Sequence, residues 1–202
     1  MDPEQTLRTE RSLATLQSRP SPEQGITYLI FRGEAVPSDP VSPNIGPSGQ
    51  PIGVVVEQGL RLLYVDCAAR GRRGVRSTDR IGQIIGRITA YVAFDPASAS
   101  GTALDPIPFT TYDEIVFTDS DGSTLGTITA ESSEGRVFNL LLADQPAIRF
   151  GGVGRILGGT GPFAGIEGLL TDNSVVAFNP HVSASVYLLR LVDPDGRFRN
   201  GL

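Results

Sequence analysis

The 202-residue chain has no lysine and no tryptophan, and it has only one cysteine (Cys67) and one histidine (His181). Without lysine, Schiff-base chemistry is excluded, because that chemistry needs an amine nucleophile. A single cysteine excludes an intrachain disulfide, and a single histidine argues against a conventional zinc site. No apolar run reaches transmembrane length, and the first residues lack the basic start and apolar core of a signal peptide. We therefore expect a soluble, cytoplasmic protein that has no contact with a membrane.

Positive charge is also scarce, since the net charge is −5 and all 17 basic residues are arginines. This balance argues against nucleic acid as a partner, because nucleic-acid binding depends on neutralising phosphates. The one basic cluster is Arg70–Arg76, extended by Arg80. We interpret it as a solvated surface loop. The alternative is a clamp for the carboxylate or phosphate of a substrate or carrier.

Turn-forming residues and strand patterns are abundant. The chain has 24 glycines, 15 prolines and 40% hydrophobic residues, which indicates many turns around a sizeable core. Several segments are rich in β-branched and aromatic residues, and Asp119–Ser123 lies between two of them as a hairpin signal. No helices of crossover type separate these segments, so we predict an all-β fold. Its architecture would be an antiparallel closed barrel of about eight strands over residues 25–202.

Residues 1–24 are the only segment with a helical pattern. Asp2 precedes Pro3, and Gln5 follows at the spacing of a capping box. We predict an N-terminal helical extension and hypothesise that it acts as a lid over the barrel, with a frayed tail as the alternative.

Glycine is densest in Phe150–Gly168, where it occupies eight positions. We interpret this stretch as a strand, a tight corner at Gly159–Pro162 and a second strand from about Phe163. Gly159–Ala164 also fits a G-x-G-x-x-A dinucleotide fingerprint, which is meaningful only where a strand leads into a helix. The following Pro162 and Gly165 resist helix formation, so the corner is favoured over nucleotide binding.

The run Arg155-Ile-Leu-Gly-Gly-Thr-Gly-Pro-Phe-Ala-Gly-Ile-Glu-Gly168, followed by the strand at 182–192, carries a family resemblance. It resembles the G-G-T/S-G-x-F-x-x-x-x-G signature that allene oxide cyclases and dirigent proteins share. Bacterial barrel cyclases of polyketide pathways, including spirotetronate-type Diels–Alderases, have a related pattern. The resemblance implies a closed, calycin-like barrel that holds an apolar small molecule, works without a cofactor or metal, and forms a homo-oligomer, a dimer or a trimer.

Three charged residues on predicted strands, Glu34, Glu57 and Arg61, are the candidate catalytic residues. A charge on a buried strand face needs a partner, so a structural ion pair is one interpretation. In the functional interpretation, a carboxylate polarises a substrate carbonyl or epoxide and Arg61 stabilises developing negative charge. The resemblance adds that allene oxide cyclases use a first-strand glutamate, and Glu34 has a comparable position.

Aromatic side chains on the strands are the candidate substrate-binding residues, and filling of the core is the alternative. They are Tyr28, Tyr64, Tyr91, Phe94, Phe117, Phe150 and Tyr187. Gln58–Gly59 predicts a β-bulge, which leaves the inward and outward faces of that strand undecided.

These observations lead to a functional hypothesis. We expect a cofactor-independent cyclase that closes a ring in an apolar, polyketide-like intermediate, by [4+2] cycloaddition on the resemblance to bacterial barrel cyclases. The alternatives are a non-catalytic binding barrel of lipocalin or dirigent type and an epoxide-opening cyclase.

Overall fold

The computed structural model describes residues 25–36, 54–67, 80–94, 106–142, 145–178 and 181–193. The strands in these ranges are β1 Ile26–Ala35, β2 Val54–Cys67, β3 Ile84–Phe94, β4 Ile107–Thr118, β5 Thr124–Leu142, β6 Gln145–Gly159, β7 Glu167–Phe178 and β8 His181–Val192. A single turn of 3₁₀ helix at Gly161–Phe163 joins β6 to β7. In these ranges no helix has the length and apolar character needed to cross a bilayer.

Each strand pairs antiparallel with the next, and β1 pairs with β8, so the sheet is a closed barrel. Ile26 lies opposite Val192, and Gly33 lies opposite Ser185. Because of this closure, none of the eight described strands is an edge strand. The predicted all-β, eight-stranded antiparallel barrel is therefore confirmed. The predicted helical extension at 1–24 and the basic cluster at 70–76 lie outside the described residues.

One bulge in β2 decides which of its side chains face inward. The register against β1 shifts so that Ile30 lies opposite Tyr64 while Phe31 lies opposite Leu62. The extra residue, Leu63, points outward and is 43% exposed. The register against β3 also shifts directly after Gly59, but the extra residue lies in β3, so the faces of β2 do not exchange at the predicted Gln58–Gly59 bulge.

One end of the barrel is filled, and we call it the packed end. It contains the start of β1, the hairpin at 119–123 and the 3₁₀ turn. The turn delivers Phe163, whose ring centroid lies 4.6 Å from that of Phe117. Phe117 in turn lies 6.0 Å from Phe31, and all three side chains are fully buried. The opposite end, where β1 ends and β2 begins, is the cavity end.

The glycine-dense segment forms the predicted corner. β6 ends at Gly159, and β7 begins at Glu167 rather than at Phe163, because the 3₁₀ turn occupies the intervening residues. Gly161 and Gly165 have φ angles of 60° and 71°, which side chains disfavour. The only helix that follows the glycine motif is this single turn, so the strand-to-helix context of a dinucleotide site is absent from the described segment.

Candidate functional site

The barrel interior at the cavity end is hollow, with a cavity of about 90 Å³. Most of its wall is apolar because inward positions of neighbouring strands carry aliphatic or aromatic side chains. These are Val56, Ala90, Val92, Phe109, Val137, Phe150 and Leu170. Seven polar side chains also line the cavity and can orient a bound molecule: Gln58, Thr111, Asp113, Ser132, Asp172, Ser185 and Tyr187.

Two carboxyl groups face the cavity from different strands, Asp113 on β4 and Asp172 on β7. Asp113 is only 6% exposed. Each carboxyl accepts a hydrogen bond from a hydroxyl two positions away on its own strand. Thr111 Oγ1 donates to Asp113 Oδ2 over 2.8 Å, and Ser174 Oγ donates to Asp172 Oδ1 over 2.5 Å. Positions two apart on a strand share one face, which explains this arrangement.

Burial controls the protonation of both carboxyls. It raises the pKa of Asp113 from an ordinary 3.8 to about 7, opposed by the hydrogen bond from Thr111 and assisted by the negative charge of Asp172. Burial likewise raises the pKa of Asp172 to about 6, opposed by the hydrogen bond from Ser174. Near neutral pH Asp113 is therefore partly protonated, whereas Asp172 is mainly a carboxylate.

A hydrogen-bonded chain lies beside the carboxyls and links β2 to β8 across the interior. The Tyr187 hydroxyl donates to Gln58 Oε1 over 2.8 Å, and Gln58 Nε2 donates to Ser185 Oγ over 2.9 Å. Gly33 leaves room for this chain, because a Cβ there would overlap the Gln58 side chain. Burial raises the pKa of Tyr187 above its ordinary range, so its hydroxyl remains a donor.

The hydroxyl of Ser132 also lines the cavity, but it has no hydrogen-bond partner among the described residues. Ser132 is 3% exposed. Buried hydroxyl groups almost always have a partner, from protein or from ordered water. We therefore expect the contents of the cavity to supply it.

The barrel wall is thin beside Ser132. The β5–β6 register is interrupted between Glu131 and Arg136. A groove of about 490 Å³ on the outer side shares Gly152 and Asp172 with the interior cavity. A Cβ at Gly152 would lie 3.2 Å from Ser132 Oγ, so glycine keeps this part of the wall open.

The predicted catalytic residues lie on the outer wall. Glu34 and Arg61 form a two-pronged ion pair, with Arg61 Nε 2.6 Å from Glu34 Oε1 and Arg61 Nη2 2.7 Å from Glu34 Oε2. The hydrogen bond from Arg61 lowers the pKa of Glu34. Glu57 points outward from β2 near Tyr91, while the adjacent Gln58 faces the cavity. The structure thus joins Glu34 to Arg61 and separates all three from the cavity, and their catalytic role stays a prediction.

The predicted substrate-binding aromatics are divided among three locations. Phe150 and Tyr187 line the cavity. Phe117 is buried in the packed end. The three other tyrosines alternate with inward residues and face outward: Tyr28, Tyr64 and Tyr91. Phe94 ends β3, and its side chain lies outside the described part.

Sequence reasoning did not single out Asp113, Asp172 or Ser132. A signal existed for Asp113, because strand alternation places it on the same face as Ile115 and Phe117. A carboxylate on an apolar strand face is costly unless it has a role or a partner. Asp172 lies similarly two residues after Leu170.

In the described ranges, no group of three or more histidine, cysteine, aspartate or glutamate side chains could hold a metal ion. Comparison of the chain with protein-family models, with curated proteins and with solved structures gives no match. The family resemblance of residues 155–168 therefore stays a prediction, and function is argued from the cavity itself.

Proposed function

We propose that this barrel is a cofactor-independent cyclase whose interior cavity binds the reacting part of an apolar substrate. The observation that supports it is a pair of carboxyls on one cavity, the buried Asp113 and the half-buried Asp172, with pKa values of about 7 and about 6. Paired carboxyls with pKa values near the working pH suit proton donation and acceptance. Glu34 and Arg61 lie outside this cavity, so the proposal does not use them.

The reaction follows from the protonation states. Asp113, the weaker acid, donates its proton to a carbonyl or epoxide oxygen, which makes the attached carbon electrophilic. An alkene of the same molecule attacks that carbon, a carbon–carbon bond forms, and the Asp172 carboxylate removes the proton that the new cation loses. The product is an isomer of the substrate, no co-reactant is consumed, and Asp172 loses its proton to solvent while Asp113 regains one before the next turnover. Acid–base assistance of this kind contributes roughly 10²–10⁴-fold in rate.

A [4+2] closure is the variant that the family resemblance favours. In that case Asp113 only polarises a carbonyl conjugated to the dienophile, and the apolar wall holds diene and dienophile close together. The cavity of about 90 Å³ is smaller than the ~300–1,000 Å³ of drug-sized sites, so it would hold the reacting carbons of a longer chain.

The test uses 1,7,9-decatrien-3-one, a small apolar trienone that can close by [4+2] addition. We expect purified protein to accelerate its cyclisation above the rate in buffer. Asp113→Leu should abolish the acceleration, whereas Asp113→Asn, which keeps a hydrogen-bond donor, should retain part of it. The matched control is Glu131→Gln, which removes an exposed carboxylate next to Ser132 in the sequence. It should leave the rate unchanged.

Two results would contradict the proposal. Equal rates for the wild type, Asp113→Leu and Asp172→Leu would exclude the carboxyl pair from the mechanism. Saturable binding of the trienone without any acceleration would favour the non-catalytic binding barrel. The Ser132 hydroxyl, which has no partner in the described part of the chain, independently supports binding in the cavity.

A further inference from the structure

Among the described residues that line the cavity, two carboxyls carry negative charge and no positive side chain balances it; Arg149 and Glu134 line the outer groove that shares Asp172. Carboxyls reach the cavity from β4 and β7, while the other strands contribute only neutral groups. These groups are Val56 and Gln58 from β2, Ala90 and Val92 from β3, Ser132 and Val137 from β5, Phe150 and glycines from β6, and Ser185 and Tyr187 from β8. The contrast with Glu34 is direct, because Arg61 pairs with that carboxylate on the outer wall.

A second observation is independent of the carboxyls. Ser132 Oγ, on a residue that is 3% exposed, lines the same cavity and has no partner in the described part of the chain. A hydroxyl oxygen can accept a hydrogen bond, and leaving it unpaired in a buried place costs free energy. The cavity thus presents two acidic groups and a hydroxyl without a partner in the described part of the chain, beside an apolar wall.

We propose that the cavity binds the protonated amine of a small apolar molecule, with the ammonium group among Asp113, Asp172 and Ser132. An ammonium group has three N–H donors, one for each of these three side chains. Its charge supplies the counterion that the wall lacks, and the alkyl part packs against Val56, Val92 and Val137. The inference names a ligand class of the cavity that differs from the cyclase substrate, because a bound ammonium holds Asp113 as a carboxylate and so blocks its role as an acid. It rests on the cavity being a ligand site, not on cyclase activity.

Binding of a cation is coupled to the protons on the carboxyls. A bound ammonium favours the carboxylate form of Asp113 and Asp172, so binding lowers both pKa values and releases protons. Affinity therefore rises with pH between about 5 and 8 and is weak where the pair is protonated. Tyr187, the other titratable group that faces the cavity, keeps its proton throughout this range.

The experiment compares n-butylamine, 1-butanol and butyrate by titration calorimetry at about pH 5.5 and pH 8. These probes have similar shape and are cationic, neutral and anionic. At pH 8 we expect butylamine to bind roughly tenfold or more tightly than 1-butanol, and butyrate not to bind. At pH 5.5 the affinity for butylamine should be roughly tenfold lower, while the affinity for 1-butanol should not change. Amide resonances of Ser132 and Gly152 should shift on titration, which locates the bound probe.

Variants separate this inference from the proposed function. Asp172→Asn should weaken the binding of butylamine but not that of 1-butanol. Glu131→Gln should change the affinity for neither probe. If 1-butanol binds as tightly as butylamine at both pH values, the amine inference fails while the cavity stands as a ligand site. If no probe shifts Ser132, the amine inference fails, and the trienone assay alone decides the proposed function.

Discussion

Asp113 and Glu34 show how position decides the chemistry of a carboxyl group. Both lie on strands of one barrel, but Asp113 points inward and Glu34 points outward. Burial raises the pKa of Asp113 to about 7, whereas the hydrogen bond from Arg61 lowers that of Glu34. An acid that holds its proton near neutral pH can donate it to a substrate, and a solvated ion pair cannot.

The raised pKa of Asp113 predicts a pH dependence of stability. Above pH 3.8 the unfolded chain releases this proton while the folded protein retains it, so the free energy of unfolding falls as the pH rises to about 7. The size of the shift corresponds to a loss on the order of 4 kcal/mol. We expect Asp113→Asn to gain stability relative to the wild type between pH 4 and 7, as measured by urea unfolding. In Glu131→Gln, the free energy of unfolding should fall with pH as steeply as in the wild type. If Asp113→Asn also showed the wild-type slope, the raised pKa of Asp113 would be contradicted.

At the residue scale, part of the site could be predicted from the sequence. Strand alternation places Asp113 on the face of Ile115 and Phe117, so its burial could be read from the pattern. Its partner could not be, because β4 and β7 are not hydrogen-bonded neighbours and the carboxyls meet only across the interior. Of the predicted aromatics, Phe150 and Tyr187 line the cavity, and a bulge at Leu63 accompanies the outward position of Tyr64.

At the scale of elements, the corner between β6 and β7 is the part that the sequence predicted most directly. Its glycines allow the chain to reverse beside β5 and to insert Phe163 into the packed end. Thr160 fixes the corner to the neighbouring strand, since its amide donates to the Thr127 carbonyl over 2.9 Å. The corner therefore closes one end of the barrel and leaves the other end for the cavity.

Three glycines of this segment form a matched series for alanine substitution. Gly158 has free space and no positive φ, Gly165 has free space at φ 71°, and a Cβ at Gly161, at φ 60°, would overlap the Leu125 carbonyl oxygen. We expect the free energy of unfolding to fall by less than about 0.5 kcal/mol for Gly158→Ala and by about 1–2 kcal/mol for Gly165→Ala. For Gly161→Ala we expect a larger loss. Chemical unfolding measures all three. Equal losses at Gly161 and Gly165 would show that the contact with Leu125 does not matter.

At the scale of the whole molecule, the β1–β8 pairing turns a meander into a closed barrel. It runs from Ile26 opposite Val192 to Gly33 opposite Ser185. The Tyr187–Gln58–Ser185 hydrogen bonds add a link between β8 and β2 through the interior. Closure gives the cavity a continuous wall, which an open sheet of the same strands would lack.

Closure also predicts the pattern of amide hydrogen exchange. In an open sheet, β1 and β8 would be edge strands and would exchange quickly, whereas paired strands open only with the barrel. We expect the amides of Leu29 and Leu189 to exchange as slowly as those of Ile115 and Ile128, while Gly122 at the hairpin tip exchanges quickly. Fast exchange confined to β1 and β8 would contradict a closed barrel in solution.

The sequence by itself determined the strand order, the hairpin at Asp119–Ser123, the glycine corner and the all-β class. These features depend on local alternation and turn chemistry, which neighbouring residues encode. Only the tertiary structure decided that Glu34 and Arg61 lie outside, that Asp113 and Asp172 share one cavity, and that Ser132 lies buried there without a partner. Such relations join residues that are far apart in the chain, and they depend on strand register and barrel closure. A bulge adds one residue to a strand and thereby exchanges its inner and outer faces, which local sequence patterns do not reveal.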